Sequence, residues 1–256
     1  MNISFIVPCF NDQTHMVKTV NSILKQVEIG DELILVDSSS DQQLTKQLSI
    51  DFYDFDGFSY IYMPPHGIYP AQNAGIKKAK NKWVQIINSA DYLLDGARIA
   101  ASEAIKKYGS YNEIIIFSQM ATLNEKEVLI FRPDPKSIWP HQSILIKKVV
   151  HDNFGLYDES YSYAADQIFL FKIRSKINFI IMDFVLTSYD IMGVSSRFNL
   201  KQCAELNLLS KLRGMNFISS FINAYVFPLL SSILNTLIGR SLALRFKFWI
   251  RGMSLD

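Results

Sequence analysis

The chain has 256 residues, 49% of them hydrophobic, a formal net charge of +2 and two cysteines. That length buries a substantial core and suits one large domain or a domain with an appendage. Cys9 and Cys203 lie far apart, without a metal-binding or disulfide-framework spacing, which fits two reduced thiols.

Residues 2–8, NISFIVP, read as a strand that starts with no basic leader, unlike a secretory signal. Asp12 stands as the N-cap of a helix carrying Val17, Val20, Ile23, Leu24 and Val27 at helical spacing. Residues 32–37 (ELILVD) and 58–63 (FSYIYM) are the second and third strands, 71–80 a helix, and 83–88 (WVQIIN) the fourth strand. This order predicts an α/β fold: a Rossmann-like, mostly parallel central sheet with helices on both faces. Ligands of such sheets bind beyond the carboxyl ends of the strands. The polar residues fall there: Asn11 after Pro8, Cys9 and Phe10; Asp37 to Asp41 (DSSSD); Pro64 to Gly67 (PPHG); and Asn88 to Asp91 (NSAD). Further on, residues 94–108 predict a helix, 113–131 a hairpin turning near Asn124 and Glu125, 144–151 and 165–175 helices, and 178–183 (NFIIMD) a late strand.

The last quarter differs. Residues 201–256 hold seven Lys/Arg against two acids, a net +5, which leaves −3 on the remainder. Within them, residues 215–239 contain no charge, although Asn216, Ser219, Ser220 and Asn223 share one helical face and Ser231, Ser232 and Asn235 share another after Pro228. Both flanks are basic, so no positive-inside bias appears. Two amphipathic helices lying on an anionic membrane surface fit better than a span; a homodimer face or a helical cap on the core also fits. The expected organisation is a catalytic domain over 1–200 and a basic, apolar, amphipathic helical tail over 201–256. Nucleic acid is excluded as a partner, because the tail's aromatics fall in apolar runs and not in a basic groove.

In sequence, the strand-end motifs IVPCFN, LILVDSSSD, PPHGIYPAQNAGIKKAKNKWVQIINSADYL, PHQSILI and GLYDESYSYAADQIFLFKI resemble those of the inverting glycosyltransferases of family 2, which have the GT-A fold. The third resembles a Gly-Ile-Tyr…Asn-x-Gly-Ile signature found in a bacterial surface-polysaccharide branch. The resemblance covers about residues 1–195. It implies that Asp37 accepts a hydrogen bond from the nucleotide base; a turn or N-cap aspartate is the plainer alternative. It implies that Pro8, Phe10 and Asn11 shape the base and ribose pocket, where a strand stop and a core ring are the alternatives. Gly67 would free the backbone of a tight loop, and Asn73 would hold the donor ribose or the loop itself. Pro70 replaces an aspartate usual in that branch. The lysines Lys77, Lys78, Lys80 and Lys82 read as a solvated helix face.

The family's Asp-x-Asp cation motif falls on Asn88 and Ala90, with a trailing Asp91 as the sole carboxylate. The resemblance therefore implies a divalent cation, Mn or Mg, on Asp91, with Asn88 helping through its carbonyl and the donor diphosphate completing the site. A plain strand-to-helix turn capped by Asp91 is the alternative. Asp166 matches the catalytic base and also suits the N-cap of the helix it opens. His141 and Gln142 would face the acceptor or the diphosphate, and Arg197, near Gly193 and Ser195, would close over the donor. Asp158 and Glu159 read as structural. The implied activity is transfer of a sugar, with inversion, from a nucleotide sugar, expected to be UDP-linked, to a hydroxyl of a lipid-linked saccharide, at the inner face of the cell membrane. Ala90 and Pro70 motivate a degenerate, nucleotide-binding scaffold as the rival. A nucleotidyltransferase would want a Gly-rich basic loop after strand one, which Cys9 to Asp12 does not offer.

Overall fold

The structure, a computed structural model, describes residues 1–123, 126–135, 139–190 and 199–230. The expected turn at Asn124 and Glu125, Arg197, and the part of the tail beyond residue 230 lie outside the described residues.

Strands β1 (Ile3–Cys9), β2 (Glu32–Asp37), β3 (Phe58–Tyr62) and β4 (Trp83–Ile86) are mutually parallel, in spatial order β3-β2-β1-β4. Every residue of β1 and of β4 is buried, as expected of strands covered on both faces, whose sequences run apolar without alternation. Helices α1 (Gln13–Leu24), α2 (Gln42–Leu48), α3 (Ile68–Lys78) and α4 (Ala97–Tyr108) follow β1, β2, β3 and the short β5 (Tyr92–Leu93). Ile3, Phe5 and Val7 of β1 pack with Met16, Val20 and Ile23 of α1 on one face. Ile6 packs with Tyr69 and Ile76 of α3 on the other. Asp12 occupies the N-cap position of α1 but makes no capping bond; its carboxylate pairs with His15 at 2.6 Å. Asp41 does cap α2, accepting from the Leu44 N–H at 2.9 Å.

The second half is mixed. The hairpin β6 (Ile114–Leu123) and β7 (Lys126–Phe131) forms as expected. The segment expected as a helix over 144–151 is instead strand β8 (Ile144–Lys147) followed by helix α5 (Lys148–Phe154). Its ILIK run is buried at all four residues because it fills an antiparallel slot between β4 and β6. β9 (Phe179–Asp190) extends seven residues past the expected end at 183, as a parallel partner of β6. Its register with β6 shifts between Phe117 and Gln119, where bulges re-aim the strand end. The sheet order is β3-β2-β1-β4-β8-β6-β9-β5, with β7 on β6; β5 closes the far edge against β9.

Helix α6 (Ala165–Ile173) lies against α7 (Leu200–Leu212), where Ala164 and Ile168 meet Leu209. The first helix of the C-terminal segment thus packs on the layer that carries Asp166. A short helix α8 (Phe217–Phe221) continues into a π-turn (Ile222–Val226). No helix among the described residues is long and apolar enough to cross a membrane.

At the amino ends of the strands, Arg98 is 1% exposed and lies on Asp31 through two bonds, at 2.7 and 2.9 Å. Asp31 also accepts from the N–H groups of Ile3 and Glu28. Asp31→Ala removes the buried, bidentate partner of this guanidinium, leaving it the half-exposed Glu28 at 3.0 Å, and is expected to destabilise the fold by about 3 kcal/mol, measured by urea unfolding.

Candidate active site

The turn after β1 and the turn after β2 are tied together. Asn11 adopts a left-handed φ of 51°, donates its N–H to Ser39 Oγ at 2.9 Å and accepts from the Ser40 N–H at 2.9 Å. Pro8 is buried, whereas Phe10 is 58% exposed and so is no core ring. Asp37 ends β2 with no exposed surface; one oxygen accepts from the Ser39 N–H at 2.9 Å and the other from the Tyr60 hydroxyl at 2.7 Å. Burial, together with the hydrogen bond to Asp37 and the charge of Asp37, holds the Tyr60 phenol protonated. Each oxygen keeps a second lone pair, and with no surface exposed a base reaches Asp37 only when the side chains covering it move.

Gly67 sits at the N-cap of α3 with φ 110°, a left-handed backbone that glycine adopts at no steric cost. Of the two roles expected of Asn73, its bonds match the one that holds the loop. Its amide donates to the Tyr157 carbonyl and to Glu159, both at 2.9 Å, and its carbonyl accepts from the Tyr157 N–H at 3.0 Å. Being 2% exposed, it holds the chain around 157–159 and not a donor. Glu159 is structural through this bond, and Asp158 through its bonds to Ser160.

Beyond β4 the chain turns sharply, with the Asp91 N–H donating to the Asn88 carbonyl at 3.0 Å and Ala90 at φ 74°. The left-handed conformation costs an alanine on the order of 1–2 kcal/mol. Asp91 is 6% exposed and accepts from Gln142 at 2.9 Å. Burial pushes its carboxyl up to about 7, and the nearby Asp190 charge adds to this; the Gln142 bond, the His141 charge and the Asp190 N–H pull the other way. Asp190, at the end of β9, is the site residue that sequence reasoning missed. Its signal is the same as that of Asp37, a carboxylate that closes an apolar strand (FVLTSYD).

Asn88 and Asp166 are joined through His141. The imidazole bonds Asp166 through Nδ1 at 2.9 Å and faces the Asn88 amide through Nε2 at 3.1 Å. Asn88 in turn accepts from Gln72 at 3.1 Å, which leaves its carbonyl one lone pair. Asp166 opens α6, is 4% exposed, and accepts from the Tyr69 hydroxyl at 2.8 Å and from Gln167 at 3.1 Å. Burial opposes the charged carboxylate, but the His141 charge and the bonds from His141, Tyr69 and Gln167 outweigh it, and its pKa is lowered. Burial likewise opposes the His141 cation, and the charge and hydrogen bond of Asp166 and the charge of Asp91 outweigh it, raising that pKa. Upstream of Asp166, Glu205 of α7 accepts from three successive N–H groups, those of Ser162, Tyr163 and Ala164, at 2.8–2.9 Å, and fixes the entry to α6.

The structure thus gathers Asn88, Asp91, His141, Gln142 and Asp166 into one hydrogen-bonded cluster, with Pro8, Phe10, Asn11 and Asp37 at the neighbouring β1–β2 edge. Gly67 and Asn73 belong to α3 outside the cluster. The donor set fits a hard divalent cation: a desolvated carboxylate near a second one is relieved by a positive ion, and such ions take one or two carboxylates and complete their shell with phosphate and water. No group of three or more His, Cys, Asp or Glu forms a closed metal cage among the described residues.

A mixed sheet whose polar cluster lies at the carboxyl ends of its strands defines an α/β protein of the GT-A class. Residues 4–132 match the model of glycosyl transferase family 2, and the chain belongs to that family. It is 26% identical over 188 residues to an uncharacterized glycosyltransferase of Rickettsia prowazekii, covering 66% of this chain and 58% of that one. It is 28% identical over 206 residues to one of Mycobacterium tuberculosis, covering 76% of this chain and 77% of that one. In fold it is similar to S. aureus TarS 1–349 in complex with UDP-GlcNAc (TM-score 0.67, 17% identity, 88% of this chain and 72% of that one). It is also similar to the mannosyltransferase PcManGT of Pyrobaculum calidifontis in complex with GDP-Man and Mn2+ (TM-score 0.64, 15% identity, 94% of this chain and 73% of that one).

Proposed function

We propose that this chain transfers a sugar from a nucleotide diphosphate donor, a UDP sugar, to a hydroxyl of a lipid-linked saccharide, with inversion, in the synthesis of a cell-surface polysaccharide. The observation that carries this reading is the buried Asp166, kept ionised by His141, Tyr69 and Gln167 at the start of α6. The acceptor oxygen attacks the anomeric carbon and its proton passes to an Asp166 oxygen. The bond to the diphosphate breaks, and its electron pair leaves with the nucleoside diphosphate. Asp91, with Asn88 and Asp190 beside it, would hold a divalent cation, which would supply neutralisation of the diphosphate. Asn11 and Phe10 flank the base, and Asp37 receives it through a lone pair that the Tyr60 and Ser39 bonds leave unused.

Purified protein given a panel of nucleotide sugars and Mn2+ is expected to release nucleoside diphosphate from one of them. Binding without turnover of any donor would favour the degenerate reading that Ala90 motivates. Asp190 weighs against that reading, since it places a second carboxylate near Asp91.

The membrane surface at the inner face of the cell envelope is part of the same proposal. Its support is the exposed apolar set Phe217, Ile218, Phe221 and Leu230 on a basic segment. Self-association through the same set is the alternative. Deletion of residues 215–256 is expected to release the protein from the membrane fraction.

A further inference from the structure

A cleft runs along one face of α6. Gln167, Leu170, Phe171 and Arg174 stand at i, i+3, i+4 and i+7 and so share a stripe that faces Leu209 and Arg213 of the α7 end, with Trp139 on the third side. The cleft is shallow and opens to solvent. Its inner end touches the catalytic carboxylate, because the Gln167 amide bonds both Asp166, at 3.1 Å, and the Trp139 carbonyl, at 2.9 Å. Its outer end carries two guanidiniums. At 1.5 Å rise per residue, Gln167 and Arg174 are about 10 Å apart along the helix.

Each arginine ends its own helix, where the dipole favours a cation. That accounts for each separately but not for their convergence on one cleft. Arg174 is stacked on the Phe171 ring at 4.1 Å, which fixes the guanidinium plane, and it spends one donor on the Pro135 carbonyl at 3.5 Å. Burial and then the Arg213 charge lower the Arg174 pKa, and Asp134 offsets them in part. The two guanidiniums are close enough for one charge to act on the other, above an apolar floor of Trp139, Leu170 and Leu209. An arginine pair of this kind matches a phosphate.

We propose that this cleft is the acceptor subsite for a phosphate group, held by Arg174 and Arg213 about 12 Å along the helix from Asp166. The inference rests on the transferase reading and narrows its acceptor to a molecule whose phosphate lies about that far from the accepting hydroxyl. Four residues after Arg213 the chain reaches Phe217, which is 69% exposed; a hydrocarbon chain attached to the phosphate has apolar surface to follow.

The test is ³¹P NMR titration of the full chain, with saturating UDP blocking the donor site, using decyl phosphate, glucose 6-phosphate and inorganic phosphate as probes. At least one phosphate monoester is expected to bind, and the R174Q/R213Q double variant is expected to bind it at least tenfold more weakly. UDP binding serves as the fold control and should stay within twofold. Preference for decyl phosphate identifies a lipid phosphate; preference for glucose 6-phosphate identifies a soluble saccharide phosphate. Equal affinity in the wild type and the double variant, binding of inorganic phosphate alone, or no binding by the wild type overturns the subsite while UDP binding leaves the transferase reading standing. Failure of the wild type to bind UDP overturns that reading, and the acceptor role with it.

Discussion

Asp91→Asn is expected to make the protein more stable at pH 8 while removing its cation-dependent binding of nucleotide. The folded protein keeps a proton on Asp91 up to pH about 7, whereas the unfolded chain loses it near the ordinary aspartate value of 3.8. The folded state therefore binds more protons between those values, and Asp91 lowers stability as pH rises through that window. The full cost, reached above pH 7, is about 4 kcal/mol. An asparagine keeps the shape without the charge, so urea unfolding at pH 8 should show a gain of that order and no gain at pH 3. Nucleotide titrated with Mn2+ should bind at least tenfold more weakly to the variant, since a neutral amide is a poor ligand for a hard cation. In the wild type the proton competes with the ion, so cation affinity rises with pH through about 7. It should be poor without nucleotide at every pH. Tight Mn2+ binding by the nucleotide-free protein, or a variant that is less stable at pH 8, would contradict the placement of this carboxylate.

His151 pulls the other way. It is 3% exposed, stacked on Phe169 at 5.0 Å, and burial pushes its pKa down to about 4. The folded state binds fewer protons than the unfolded chain between about 4 and 6.5, so its contribution is full above pH 6.5 and is lost as pH falls. That loss is about 3 kcal/mol, close to what Asp91 regains over the same range. The wild type should accordingly show a flat stability profile from pH 4.5 to 6.5 as far as these two groups govern it. His151→Phe, which keeps an aromatic ring in the stack, should uncover a profile that falls with rising pH.

The parallel half of the fold was legible because its strands are buried and so read as mainly apolar runs, ELILVD and WVQIIN, that end abruptly in polar residues. β8 was not, because ILIK followed by KVV has helical spacing and only the slot between β4 and β6 makes it a strand. The positions of the site residues followed from the strand ends, but their partnerships did not. His141 and Asp166 are 25 residues apart with no periodic relation, and only the fold lays one on the other. Asn73 carries a family motif yet turns its amide to Tyr157 and Glu159, which no local pattern encodes. Asp190 was hidden because its strand was expected to end at 183, and the length of β9 comes from its partner β6.

Asp166→Asn is expected to lower transfer by at least a thousandfold while leaving donor affinity unchanged. General-base assistance contributes about 10²–10⁴ in rate, and this carboxylate also holds the imidazole of His141 in place. With Asp166 neutral, His141 loses the ion pair that keeps its pKa raised, so the variant changes two groups at once. Two companions separate them. Tyr69→Phe removes one of the three side-chain donors to Asp166, together with the oxygen that faces the Ala165 and Asp166 N–H groups, and should cost a modest factor in kcat with an unchanged KM for the nucleotide sugar. His141→Gln removes the strongest stabiliser of the ionised carboxylate, so Asp166 becomes easier to protonate and the acid limb of the kcat profile should move to higher pH. A base of lowered pKa gives the wild type no acid limb of its own above pH 5. If kcat in D166N stays within tenfold of the wild type, or if the wild-type limb follows His141 and is abolished in H141Q, the imidazole and not the carboxylate takes the acceptor proton. Asp166 would then orient the ring through Nδ1 while Nε2 faces the acceptor.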